Sequence, residues 1–292
     1  MKPSVSLVLS SGGARGIAHI GVIEELERQG FEIKSIAGSS MGALVGGIYA
    51  SGNLQVYKDW MCTLDKMAVF NLVDFTLSAN GLVKGNKVIK ELKKIVPDEK
   101  IEDLPIFYSA VATDIKNKKE VVFEKGSLFE AIRASISIPT VFKPYKLDGM
   151  ALIDGGVINP IPINRVKRRK DDLLIAVDVS APYSLENKVS GEKLLAEKNS
   201  ELSYFSFLMK KGFMFLPKVI DKQLNYYSLL SESSSLMIQQ ISAMTIKMYP
   251  PDILIKIPIN SYGVFHFYKS DEIIKVGELA TRQALNEYEL KK

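Results

Sequence analysis

Two successive strand–turn–helix patterns occupy residues 5–50, and they limit the fold more than any other feature of the sequence. In the first, an apolar strand pattern leads through a glycine-rich turn at 11–16 into a helical pattern over 17–29. In the second, a strand pattern leads through 38–42 into a helical pattern over 43–50. Short apolar strands that alternate with helices are typical of parallel sheets covered by helices. The sequence therefore predicts an α/β fold.

The rest of the chain continues this alternation. Further strands are predicted at 106–112, 120–123, 173–179 and 253–257, with a hairpin over 145–153 and a last helix over 270–288. Two regions interrupt the pattern, a mostly helical insertion at 53–104 and a helical cover segment at 181–250. Because no internal repeat and no linker divides the chain, we expect 1–292 to form a single domain. The predicted architecture is a three-layer α/β/α sandwich with a mostly parallel central sheet and helical insertions.

The composition excludes several classes of protein. Apolar residues make up 47% of the chain and charged residues 24%, so an ordinary globular protein is expected. No apolar run approaches the roughly 20 residues that span a bilayer, and the N-terminus lacks a signal-peptide pattern. We therefore expect a cytoplasmic protein whose membrane contact, if any, is peripheral. The net charge of +5 mildly favours anionic surfaces such as lipid headgroups, and no nucleic-acid partner is expected.

The sequence gives no sign of a metal or cofactor site. The two histidines and the single cysteine, Cys62, are not at the spacing of metal ligands. We expect no metal, no nucleotide and no other cofactor. A homo-oligomer is compatible with the sequence, which does not specify the oligomeric state.

The second glycine-rich turn carries the strongest chemical signal. It matches the pattern G-x-S-x-G, with Ser40 between Gly38 and Gly42. Such a nucleophile elbow is a tight strand-to-helix turn that lifts a serine hydroxyl to the start of a helix, where free N–H groups and the helix dipole favour an oxyanion. An ordinary glycine-rich turn of an α/β fold is the alternative.

The first glycine-rich turn, Gly12-Gly13-Ala14-Arg15-Gly16, permits two interpretations. Its N–H groups are suited to a pyrophosphate, as in dinucleotide-binding folds, or to the oxyanion of an acyl-transfer reaction. The dinucleotide pattern is broken, because Ser11 occupies the place of its first glycine. An acidic residue for a ribose is also missing at the end of the second strand. The oxyanion interpretation is therefore favoured.

A third motif, Asp154-Gly155-Gly156, follows the apolar residues 151–153. An acid at a strand end, followed by two glycines, is suited to a place in an active site. Taken alone, it is more often an aspartate that caps a turn.

Together and in this order, the three motifs resemble the patatin-like phospholipase family, which includes bacterial proteins and serine hydrolases of the neuropathy-target-esterase type. The resemblance also includes the segments 17–22, 131–139 and 176–179. Ser11 departs from the family pattern, which usually has a glycine there. Residues 181–250 are not covered well.

The resemblance implies a lipid acyl hydrolase that cleaves carboxylic esters through an acyl-enzyme. Ser40 would be the nucleophile and Asp154 its base, in a Ser–Asp dyad. The expected oxyanion donors are the N–H groups of Gly12, Gly13, Ala14 and Met41. Arg15 would either bind a phosphoryl headgroup or form a structural ion pair.

Two alternatives stay open at this point. The chain order Ser40, Asp154, His266 also fits the triad of an α/β-hydrolase, although Ser40 follows too few predicted strands for the elbow of that fold. The second alternative is a catalytically silent lipid-binding relative, because a fold does not dictate an activity.

Overall fold

A central β-sheet organises the part of the chain that this computed structural model describes, namely residues 3–72, 85–139, 141–182 and 226–291. Its strands in these ranges are β1 (Ser4–Leu9), β2 (Glu32–Ser39), β3 (Phe107–Asp114), β4 (Lys119–Phe123), β5 (Tyr145–Leu147), β6 (Met150–Asp154), β7 (Leu173–Ala181) and β8 (Ile253–Pro258). The main path of the sheet is β5-β6-β3-β2-β1-β7-β8, and β4 pairs with β3. The neighbours from β3 to β8 along this path are parallel, whereas the pairs of β3 with β4 and β6, and of β5 with β6, are antiparallel. The predicted, mostly parallel sheet is confirmed.

Helices cover this sheet. In the described ranges they are α1 (Ala18–Arg28), α2 (Met41–Ala50), α3 (Leu54–Cys62), α4 (Lys66–Leu72), α5 (Asn86–Ile95), α6 (Leu128–Ser135), α7 (Tyr226–Met248) and α8 (Ser270–Glu289). Short 3-10 turns at Gly13–Ile17 and Gly155–Val157 occupy two of the three motif positions. Among the described helices, none combines the length and the apolar character that a membrane span requires.

The side chains of β1 show how the layers form. Leu7 and Leu9 point into the larger core, which they share with apolar side chains of α1, α2 and α8. Val8 points to the opposite face, where it packs in a smaller cluster that includes Ile161 and, from α7, the partly buried Ile246. Successive side chains of a strand face opposite sides of the sheet, so one strand serves both cores. The three-layer α/β/α architecture is therefore confirmed.

The element boundaries differ slightly from those predicted. Helix α2 begins at Met41 instead of residue 43, because the carbonyl of Ser40 already accepts the N–H of Leu44 at 3.0 Å. Helices α3, α4 and α5 occupy much of the predicted insertion, of which 73–84 lies outside the described residues. Of the predicted cover segment, 183–225 lies outside them as well.

A buried carboxylate joins the first and last helices of the described chain. Glu25 of α1 is 1% exposed and accepts hydrogen bonds from Arg28, from Gln29 at 2.9 Å and from Arg282 of α8 at 3.1 Å. Burial by itself would raise the pKa of Glu25, but these three donors outweigh it and lower the pKa to about 2. The ionised form therefore stabilises the contact between α1 and α8.

We predict that Glu25→Gln lowers the free energy of unfolding at pH 7 by about 2 kcal/mol, the usual contribution of a hydrogen bond to a charged group. Because folding lowers the pKa from 4.5 to about 2, the stabilisation is complete above pH 5 and disappears as the pH falls through 2. Urea unfolding at several pH values measures the difference, with the exposed Glu287→Gln as control. An equal effect of the two variants would contradict this role.

Candidate active site

The nucleophile candidate Ser40 lies directly after the last residue of β2, at the start of α2. Its backbone has φ 54° and ψ −123°, a region that non-glycine residues rarely adopt. The turn also brings α2 against the end of β1. A Cβ added to Gly42 would lie 2.1 Å from the carbonyl oxygen of Leu9, so only glycine fits there. The segment 38–42 thus has the geometry of a nucleophile elbow.

Asp154 reaches the serine from the end of β6. In the sheet, Asp154 pairs with Ala112 of β3, and the preceding β3 residue, Val111, pairs with Ser39 of β2. This register brings the carboxylate beside the elbow. Ser40 Oγ donates a hydrogen bond of 2.5 Å to Asp154 Oδ2, and the Gly156 N–H donates one of 2.7 Å to Oδ1. The two side chains, 114 residues apart in sequence, are 3% and 5% exposed.

Burial determines the acid–base character of Asp154. Removal from water raises the pKa of its carboxyl group, and the hydrogen bonds from Ser40 and Gly156 offset part of this effect. The resulting pKa is about 6, compared with an ordinary value of 3.8. An ionised carboxylate with a pKa this close to neutrality, hydrogen-bonded to a serine hydroxyl, is chemically suited to accept the serine proton.

The loop after β1 borders this pair. Gly156 packs against Ser11, and Gly16 packs against Met41, which is the first residue of α2. Within the described residues, the N–H groups of Gly12 and Gly13 make no hydrogen bond, and the N–H of Met41 has no acceptor in its own helix. These three N–H groups stay the candidate oxyanion donors.

Ala14, also expected to be an oxyanion donor, does not fit that role in this structure. Its N–H donates a 2.9 Å hydrogen bond to the carbonyl of Val264, in the loop after β8. A single N–H directed at this carbonyl is not free for a substrate oxygen, so the expectation for Ala14 is corrected: it is a structural donor. The contact joins parts of the chain that are distant in sequence, and no local pattern indicates it.

The guanidinium group of Arg15 points into the protein. It is 6% exposed and donates hydrogen bonds to the carbonyls of Val179 and Tyr262, both at 3.0 Å, and to Ser180 Oγ at 3.4 Å. These bonds join the loop after β1 to the end of β7 and to the loop after β8. These bonds favour a structural role for Arg15, made through carbonyl and hydroxyl acceptors, over the binding of a phosphoryl headgroup.

Both histidines interact with backbone groups. His19 is fully buried, its Nε2 lies 2.9 Å from the carbonyl of Ser10, and burial lowers its pKa to about 4. His266 Nδ1 accepts the N–H of Gly263 at 3.2 Å. A Ser–His–Asp triad requires histidine between the serine and the acid, whereas Ser40 and Asp154 are bonded directly.

One contact of Ser40 was not anticipated. The hydroxyl of Ser135, the last residue of α6, accepts the Ser40 N–H at 2.8 Å. Ser135 belongs to the segment 131–139 that contributed to the family resemblance, but no motif indicated a role for it.

Comparisons with known proteins identify the family. Residues 7–166 match the family model described as patatin-like phospholipase, which is more than half of the chain and includes all three motifs. The chain belongs to the patatin-like phospholipase family.

Relatives of this patatin-like protein extend the match over nearly the whole chain. An NTE family protein of Mycobacterium tuberculosis is 32% identical, over 99% of this chain and 93% of its own length. Lysophospholipase NTE1 of Candida albicans is 30% identical over 94% of this chain, which corresponds to 19% of the much longer fungal protein. Among solved structures, VipD from Legionella pneumophila aligns with 98% of this chain and 67% of its own, with 17% identity and a TM-score of 0.49.

We predict that Asp154→Asn raises the melting temperature of this patatin-like protein above pH 6. Folding raises the pKa of Asp154 from 3.8 to about 6, so ionisation in the folded state opposes folding. This destabilisation is absent below pH 3.8, grows between 3.8 and 6, and is complete above 6. The difference in melting temperature between variant and wild type should follow the same course. Asp148→Asn, at an exposed hairpin turn, is the control, and a pH-independent difference for Asp154→Asn would contradict the prediction.

Proposed function

We propose that this protein is a lipid acyl hydrolase that cleaves carboxylic esters with a Ser40–Asp154 dyad through an acyl-enzyme. Family membership supports lipid acyl hydrolysis. The observation that carries the dyad is the direct 2.5 Å hydrogen bond between the two buried side chains. A serine hydroxyl is a weak nucleophile unless an adjacent base removes its proton, and Asp154 is hydrogen-bonded to the hydroxyl.

In the proposed reaction, Asp154 accepts the Ser40 proton while Oγ attacks the ester carbonyl. The N–H groups of Gly12, Gly13 and Met41 stabilise the negative charge on the carbonyl oxygen. The tetrahedral intermediate then expels the alcohol, which takes the proton from Asp154, and the acyl group stays on Ser40. A water molecule, deprotonated by Asp154, attacks the acyl-enzyme, and the acid leaves as Ser40 is protonated again.

The surroundings of the dyad suit an apolar acyl chain. Val157 follows Gly156 and is 43% exposed, and Val264 packs against Gly13 and is 36% exposed. The acid loop and the oxyanion loop therefore each have an exposed aliphatic side chain beside them. Together with the similarity to a protein named lysophospholipase, this supports a lipid ester as substrate. Peripheral membrane contact and a homo-oligomer stay predictions.

We predict that Ser40→Ala abolishes hydrolysis and that Asp154→Asn lowers kcat about 10²–10⁴-fold, the usual contribution of general-base catalysis. The measurement is fatty-acid release from a panel of defined phospholipids, lysophospholipids and neutral esters. A fluorophosphonate probe should label the wild type at Ser40.

His266→Ala is the control for the triad and should retain a substantial fraction of the activity. If it were as inactive as Ser40→Ala, a histidine would be the base. Wild-type turnover by Ser40→Ala would exclude this serine as nucleophile, and a wild type without hydrolysis or labelling would indicate a silent relative.

The pH profile provides a separate prediction. Because Asp154 acts as a base only when ionised, kcat/KM should rise with pH and reach half of its plateau near pH 6. The measurement uses a substrate that does not titrate between pH 4 and 9. His266→Ala should keep the same midpoint. A midpoint near 4, the range of an ordinary carboxylate, would contradict the buried base.

A further inference from the structure

Strands β2 and β3 separate where β2 leads into the elbow, and a side chain bridges the gap. Ser39 and Val111 form the last register pair of the two strands. One residue further on, Ser135 Oγ accepts the Ser40 N–H at 2.8 Å and donates to the carbonyl oxygen of Val111 at 2.6 Å. The hydroxyl thus uses its single proton and one lone pair to connect the nucleophile backbone with the neighbouring strand.

This bridge acts on a strained residue. Ser40 has a positive φ, and such a conformation persists only where the surrounding structure holds it. Helix α2 fixes the chain after Ser40, and β2 fixes it before Ser40. The Ser135 hydroxyl binds the Ser40 amide itself, and both serines are buried. Rotation of the Ser40 backbone, which would move Oγ away from Asp154, would break this bond.

The segment at the end of α6 also binds the backbone of Asp154, the proposed base. The carbonyl of Ser137, two residues after Ser135, accepts the Asp154 N–H at 2.9 Å. Gly155 packs against the Val111 carbonyl that Ser135 binds, so closely that an added Cβ would lie 2.1 Å from this oxygen. The end of α6 is therefore in contact with the backbone of the nucleophile and with the backbone of its base.

We infer that Ser135 is a positioning residue, whose hydroxyl holds the Ser40 backbone in the conformation that directs Oγ at Asp154 and at the ester carbonyl. The inference rests on the proposed function. It assigns Ser135 no contact with the substrate and no proton transfer. Its effect therefore falls on the rate of acylation, and substrate binding is little changed.

The test compares Ser135→Ala and Ser135→Cys with the wild type. Alanine removes the hydroxyl, and cysteine keeps nearly the same shape with a much weaker donor and acceptor. We expect both to lower kcat and the rate of fluorophosphonate labelling about 10²-fold, the size of effect that a small misplacement of reacting atoms produces. KM should stay close to the wild type. The midpoint of the pH profile should move upward, because Asp154 stays buried and hydrogen-bonded to Gly156 while the Ser40 hydrogen bond that lowers its pKa is weakened.

Ser109→Ala is the matched control. Ser109 is also a buried serine, it lies on β3, and its hydroxyl donates to the carbonyl of Arg165 at 3.0 Å, away from the dyad. Its removal measures the general effect of losing a buried serine hydroxyl. We expect Ser109→Ala to lower the melting temperature about as much as Ser135→Ala and to keep wild-type kcat. Amide hydrogen exchange, which does not depend on activity, should accelerate in the peptide around Ser40 only in the Ser135 variants.

The outcomes separate this inference from the proposed function. If Ser40→Ala is inactive but folded Ser135→Ala or Ser135→Cys keeps wild-type kcat, the positioning role is wrong and the dyad stands. An equal loss of kcat in Ser109→Ala would also overturn the role. If Ser40→Ala keeps its activity, the proposed function fails, and unchanged hydrogen exchange around Ser40 in the Ser135 variants would overturn the inference independently.

Discussion

A carboxylate buried in a protein core requires hydrogen-bond donors, and among the described residues Asp154 has two, the Ser40 hydroxyl and the Gly156 N–H. Two neutral donors do not fully replace water, and burial therefore raises the pKa of Asp154 to about 6. A stronger set of donors, such as the one that surrounds Glu25, would make the carboxylate more stable and a weaker base. The incomplete solvation of Asp154 thus opposes folding and at the same time makes this residue a suitable base for a serine.

The sheet brings this carboxylate to the serine. The carboxyl ends of the parallel strands β1 and β2 lie side by side, which places the loop after β1 next to the elbow. Strand β6 is antiparallel to β3, and its last residue is Asp154. Since Val111 pairs with Ser39 and its neighbour Ala112 pairs with Asp154, a shift of one residue in either register would move the carboxylate out of reach. The geometry of the site is therefore a consequence of strand pairing as much as of the loops.

The sequence predicted the layers and the mostly parallel sheet because both follow from local apolar periodicity. It also indicated the residues that the structure brings together at the elbow, since their motifs contain glycines at fixed spacing. It did not indicate that the carbonyl of Val264 would accept the N–H of Ala14, or that the hydroxyl of Ser135 would accept the N–H of Ser40. Both contacts join distant parts of the chain, and the groups that accept these N–H groups, a backbone carbonyl and a serine hydroxyl, are too common to form a recognisable pattern.

The glycines explain why the sequence indicated the motif residues but not these two hydrogen bonds. Gly42 meets the carbonyl oxygen of Leu9 and Gly155 that of Val111, each at a distance that excludes any side chain. Where two backbones approach this closely, glycine is the residue type that fits, and a glycine is visible in the sequence. A hydrogen bond to an amide can be made by a serine, a threonine, an asparagine or a water molecule, so its donor and acceptor are visible only in three dimensions. Motifs of this kind therefore report how closely the backbone packs at a site, and the polar groups that hold the reacting atoms in place have to be found in the structure.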